Sequence, residues 1–143
     1  MPTRLFVGAV ALAMGVSFLT TSSYAQTKID IGKEEYTTSC AVCHGADGKG
    51  GGPLQDWLKK PAADLTKIQK ENAGVFPFDR VYQIIDGREG VAAHGPRDMP
   101  VWGKEYSYEG GWRMGMWVTQ KDIESFTRGR IIALVGYIYS LQK

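Results

Sequence analysis

The sequence predicts an all-α domain: a few helices joined by long loops, with a core filled partly by something other than the chain itself. Three observations carry this. No segment alternates apolar and polar residues in the manner of a strand. Residues 129–141 repeat apolar side chains at helical spacing, with Ile131, Leu134, Val135, Ile138 and Leu141 on one stripe. The connections are long and rich in Gly and Pro, and long loops in a small domain commonly enclose a bound group.

The chain has 143 residues and is 43% hydrophobic, enough for one domain with a real core. It carries 17 Lys+Arg against 15 Asp+Glu with no basic block, so nucleic acid is not the expected partner.

Element by element, residues 29–43 read as a helix with Asp30 as its cap. The stretch from Gly45 to Pro53 holds so much glycine that it must be loop. Residues 56–60 predict a short helix stopped by Pro61, and 64–72 predict another. Phe76-Pro77 is a turn. Residues 79–86 predict a helix with Val81, Tyr82, Ile84 and Ile85 on one face, ended by Gly87. From Gly87 to Trp112 no period is sustained. Residues 121–128 predict a short helix, and 129–141 the strongest one.

The N-terminus reads as a targeting segment. Met1 to Arg4 is short and basic, Leu5 to Leu19 is apolar and uncharged, and Ser23-Tyr24-Ala25 offers small residues for a signal peptidase. Residues 1–25 are therefore expected to be a secretory signal peptide and 26–143 the mature domain. A retained anchor is the competing reading, but the apolar run is shorter than the roughly 20 residues a span requires. No later segment is apolar enough to cross a membrane.

The sharpest signal is Cys40-Ala41-Val42-Cys43-His44. In Cys-x-x-Cys-His the two thiols bond covalently to the vinyl groups of haem, and the adjacent imidazole is presented to the iron. Three readings compete. One is a Cys40–Cys43 disulfide, which an exported protein would tolerate. Another is a thioredoxin-like redox pair, which wants a βαβ setting that the sequence lacks. The third is a zinc site drawing on Cys40, Cys43, His44 and His94, whose spacing matches no usual zinc pattern.

At these residues the chain resembles the class I cytochromes c. Gly32 and Tyr36 precede Cys40 by the family's intervals, CAVCHGADGKGGG is similar to bacterial members, and Leu134, Gly136 and Tyr137 lie where the family's last helix makes its contacts. The likeness spans roughly residues 30–103 and 128–141. It implies a small cytochrome c fold wrapped around one covalent haem c, with the terminal helices crossing at Gly32. It implies an exported, periplasmic electron carrier cycling Fe(III)/Fe(II) rather than an enzyme. Its partners would be redox proteins: a periplasmic dehydrogenase, such as a sulfite dehydrogenase, or a terminal oxidase. A gas-binding or enzymatic haem protein is the rival reading, and it needs an open sixth site.

By the same resemblance Met99, in Arg97-Asp98-Met99-Pro100-Val101-Trp102-Gly103, is the second axial iron ligand beside His44. Met114, Met116 and His94 compete for that place. The Pro53 carbonyl is the expected acceptor for His44 Nδ1, although a plain turn proline reads equally well. Trp57, Trp102 and Tyr82 are candidates for packing on the porphyrin, against an ordinary role in the core. Lys59 and Lys60 read as solvated surface. Residues 104–128 depart from the family pattern. Their Tyr106, Tyr108, Trp112 and Trp117 either shield the haem, the favoured reading, or form a docking surface.

Overall fold

The computed structural model describes residues 30–88 and 99–143. His94 and the expected signal peptide lie outside the described residues. Within them the chain is helical with no strand, as the sequence predicts.

Helix α1 covers residues 30–44, and its middle turn, Tyr36–Cys40, is π-helical. A π turn carries an extra residue per turn and shifts the register of the helix beyond it. Asp30, expected as the cap, is itself helical. The loop after His44 then folds back over the end of the helix. Its amides serve the last four carbonyls in order: Gly45 N–H donates to Ala41 at 2.9 Å, Leu54 to Val42 at 2.9 Å, Gly52 to Cys43 at 3.0 Å and Gly50 to His44 at 2.8 Å. A helix end ordinarily leaves these carbonyls to water. Glycine is required for so close a return: at Gly52 a Cβ would sit 2.5 Å from the carbonyl oxygens of both Ala41 and Val42.

A 3-10 turn, Gln55–Trp57, comes next. It is shorter than the helix expected over 56–60 and begins one residue earlier. Helix α2 spans residues 65–71, a 3-10 turn Leu65–Lys67 running into Ile68–Glu71. Asp64 caps it by accepting from Thr66 N–H at 3.0 Å and Thr66 Oγ1 at 2.7 Å. Helix α3 is Phe78–Asp86, closed by Gly87 in the left-handed conformation at φ 61°.

Helix α4, Trp102–Met114, occupies a region the sequence leaves without period. Its glycines are packing sites. Gly103 lies against the end of α3, where a Cβ would come 2.7 Å from both the Asp86 carbonyl oxygen and Arg88 Nε, and Gly110 lies against Phe126. Helix α5 is one continuous rod, Gln120–Ser140, where the sequence predicts a short helix and a separate strong one. Gly129, the expected boundary between them, has open space around it and simply continues the helix. Thr119 and Asp122 cap its start reciprocally.

The core gathers Tyr36 and Cys40 of α1, Val81 and Ile85 of α3, Tyr106 of α4, and Ile131, Leu134, Val135 and Ile138 of α5. The first and last helices cross where Gly32 faces Ala133 and Tyr137. The Tyr36 and Tyr137 rings pack nearby in a tilted arrangement, with centroids 5.2 Å apart. At the C-terminus Gln142 binds back to α2, donating to the Leu65 carbonyl at 2.7 Å and accepting from Gln69 N–H at 2.9 Å.

Candidate haem site

Two adjoining cavities, about 220 and 440 Å³, share Cys40, His44, Ala63 and Met99 among their walls. The smaller is also lined by Cys43, Leu58, Pro61, Pro100 and Trp102. The larger reaches inward along Leu65, Ile68, Val81, Ile85 and Ile138. All four residues singled out as haem contacts therefore line these cavities: Cys40, His44 and Met99 both of them, Cys43 the smaller one. Among the described residues, nothing else in the protein combines cysteine, histidine and methionine in this way.

Cys40 and His44 are held by their surroundings. Cys40 is buried in the core, and burial pushes its thiol up to about 12. The two cysteines are not joined to each other. Tyr36, one helical turn before Cys40, donates its hydroxyl to the Gly45 carbonyl at 2.6 Å and so fixes the chain just past His44. The capping loop fixes the backbone of His44 itself.

The His44 ring is fixed by its Nδ1, which lies 3.0 Å from the Ala63 carbonyl oxygen. A carbonyl only accepts, so Nδ1 donates, and the lone pair of the neutral imidazole is on Nε2. This corrects the expectation for Pro53, which is exposed and does not accept the bond. Ala63 is placed by its neighbours: Ala62 N–H donates to Gln55 Oε1 at 3.3 Å, and Leu65 N–H to the Gly48 carbonyl at 2.7 Å. The orienting bond thus comes from the segment beyond the loop.

The other candidates separate clearly. Met114 and Met116 line neither cavity, and Met116 is 92% exposed. Of the three aromatics considered for the porphyrin, only Trp102 lines a cavity. Trp57 is 85% exposed, and Tyr82 lines a separate surface groove with Arg88 and Glu124. Lys59 and Lys60 are exposed, although Lys60 borders the smaller cavity. No residue of 104–128 lines either cavity, so the favoured shielding role has no support there. Tyr106 is core, while Tyr108, Trp112 and Trp117 face outward.

These residues suit haem. A mostly apolar slot flanked by an imidazole with a free Nε2 and by a thioether, with two thiols on its wall, matches the donor set and the hydrophobic body of that cofactor. Zinc is less suited: among the described residues no three His, Cys, Asp or Glu side chains group to hold a metal ion.

Residues 27–118 match the family described as cytochrome c oxidase, cbb3-type, subunit III. No curated protein and no solved structure matches the chain. The matched region contains both cysteines, His44, Met99 and the whole of α4. With that match and this site, the chain belongs to the cbb3-type cytochrome c domain family: it is a c-type cytochrome, a haem-binding electron carrier.

Proposed function

We propose that the mature chain is a periplasmic carrier of single electrons with one haem c, thioether-bonded through Cys40 and Cys43 and ligated by His44 and Met99, and that it is not an enzyme. The observation that carries this reading is the convergence of Cys40, His44 and Met99 on both cavities. When bound, haem c supplies one-electron Fe(III)/Fe(II) chemistry.

The chain's own residues do the rest. Cys40 and Cys43, three residues apart at the end of one helix, are spaced for two neighbouring vinyl groups. His44 offers Nε2 because Ala63 holds its Nδ1–H, and that bond also makes the imidazole a stronger donor. Met99 offers a neutral, polarisable sulfur that favours the ferrous state and closes the sixth position. Leu65, Ile68, Val81 and Ile138 give the larger cavity an apolar wall suited to the porphyrin. Trp102 does the same for the smaller one.

The family's description as a subunit of a cbb3-type oxidase supports a terminal oxidase as the electron acceptor. A periplasmic dehydrogenase, such as a sulfite dehydrogenase, is the donor class this reading carries. Export rests on the pattern of residues 1–25, and the mature protein should begin at Gln26. Among the described residues no helix is long and apolar enough to cross a membrane.

Denaturing electrophoresis and a haem stain test the reading. The wild-type protein should keep its haem, and a Cys40→Ala, Cys43→Ala double variant should lose it. A wild-type chain without covalent haem contradicts the proposal, and so does rapid stoichiometric carbon monoxide binding to the reduced protein at neutral pH.

A further inference from the structure

Two patches of exposed aromatic side chains stand in different relations to the haem slot. One is the tip where α4 turns into α5, with Trp112, Met116 and Trp117 86%, 92% and 94% exposed. The other is the Gln55–Trp57 turn, where Trp57 is 85% exposed.

The second borders the slot. Leu58, the next residue after Trp57, is a wall of the smaller cavity, and Lys60 and Pro61 continue that wall. Backbone bonds lay the turn over the segment that carries the cysteines. Leu54 N–H donates to the Val42 carbonyl at 2.9 Å, and Trp57 N–H to the Leu54 carbonyl at 3.0 Å. Val42 and Leu54 are themselves 36% and 42% exposed. Gln55 pins the segment by accepting at Oε1 from Gly51 N–H and Ala62 N–H, each at 3.3 Å. Three apolar side chains are thus held out to solvent at the lip of the slot.

The tip is remote by comparison. Trp112 follows Trp102 by ten residues on α4, a rise of roughly 15 Å, and Trp102 is the residue of that helix on the cavity wall. Electron transfer weakens steeply with distance, so a redox partner gains more from the lip than from the tip.

The charge at the lip completes the picture. Lys59 and Lys60 are both exposed, and Asp56 is the acid between Leu54 and Pro61. Among the described residues none of the three forms an ion pair. The lip therefore has an apolar centre and a surplus cation at its edge.

We propose that the redox partners dock on this lip with Trp57 as the anchor, and that it fits a redox protein presenting an apolar contact flanked by carboxylates. Tryptophan offers a large, stiff contact surface and is over-represented among the residues that dominate binding. Lysines at the rim set the encounter rate and its salt dependence. A second copy of this chain fits poorly, because a two-fold contact turns the same cationic edge on itself. One electron crosses between carrier and partner, one oxidised as the other is reduced, and no bond forms or breaks.

This inference rests on the one-haem carrier reading, so the test starts from protein verified to hold covalent haem. A gold electrode coated with alkanethiols ending in mixed carboxylate and methyl groups stands in for the partner. Voltammetry reads the protein film that exchanges electrons with it. Wild type should form a film at low salt and lose it as salt rises. Trp57→Ala should need roughly tenfold more protein for the same film, with its solution potential and haem spectrum unchanged. A Lys59→Glu, Lys60→Glu double variant should form none. Trp112→Ala and Trp117→Ala should match the wild type. A film indifferent to Trp57→Ala, or one lost in Trp112→Ala or Trp117→Ala, overturns the proposal. So does an altered potential in Trp57→Ala, which makes Trp57 part of the haem environment. An equal film on methyl groups alone rules out the acidic partner, and a wild-type dimer that Trp57→Ala splits assigns the lip to a second copy. Each of these results leaves the carrier reading intact, whereas absence of covalent haem overturns both.

Discussion

Gly32 of the first helix lies directly against the main-chain carbonyl of Ala133 in the last, with the Cβ position of residue 32 only 3.0 Å from Tyr137 Cβ. Nothing larger than hydrogen fits without moving a backbone. Gly32→Ala should therefore destabilise the protein by about 1–3 kcal/mol, the usual cost of overpacking a rigid contact. Gly136, also in the last helix, has open space at its Cβ position. Gly136→Ala should stabilise by up to about 1 kcal/mol through helix propensity alone. Denaturant melts of the two variants check the pair, and equal effects at both positions would contradict the crossing.

The aromatic residues of the outer helix–loop segment should be separable from the haem environment. Trp112 and Trp117 are 86% and 94% exposed and line neither cavity. Replacing either with Ala should shift stability by no more than about 0.5 kcal/mol and leave the potential unchanged. Trp102→Ala, by contrast, opens the smaller cavity to water, which favours the charged ferric state and should lower the potential. Potentiometry on the three variants checks this. A fall in potential for Trp112→Ala or Trp117→Ala would restore the shielding role.

Acid should loosen the start of α5. Asp122 Oδ2 accepts from Thr119 N–H at 2.9 Å and from Thr119 Oγ1 at 2.6 Å, and these bonds hold its carboxyl below the ordinary 3.8. A carboxyl with a lowered folded-state pKa stabilises above its unfolded value, and that contribution disappears as pH falls below 3.8. Asp122→Ala should thus be less stable than wild type at neutral pH, with the gap closing in acid. Thermal melts across pH check the sign.

Removing the haem should unfold much of the domain. The cavities lie among α1, α2, α3 and the Met99 segment, so these elements meet largely through what fills the slot. The Cys40→Ala, Cys43→Ala variant should lose far-UV helicity and cooperative melting together. Native-like helicity with a cooperative melt in the haem-free variant contradicts this.

What the sequence reveals and what it hides divide along physical lines. The Cys40 to His44 motif is legible because covalent attachment demands fixed spacing. The stripe from Ile131 to Ile138 is legible because one face of α5 is fully buried. Helix α4 is hidden because packing, not periodicity, selects it: Gly103 and Gly110 sit at its contacts, and glycine reads locally as loop. The continuity of α5 is hidden by Gly129, whose cost its neighbours outweigh. The partner of His44 is hidden for another reason. A backbone carbonyl has no residue signature, so Ala63 and Pro53 are indistinguishable until the chain is folded.

The central claim, an iron held between His44 and Met99, is tested most directly by the far-red absorption spectrum of the ferric protein. Histidine–thioether ligation should give a weak charge-transfer band there. Met99→Ala should abolish the band and open the site to cyanide or carbon monoxide, whereas Met114→Ala and Met116→Ala should leave it in place. A band that survives Met99→Ala and disappears with Met114→Ala or Met116→Ala would contradict the account.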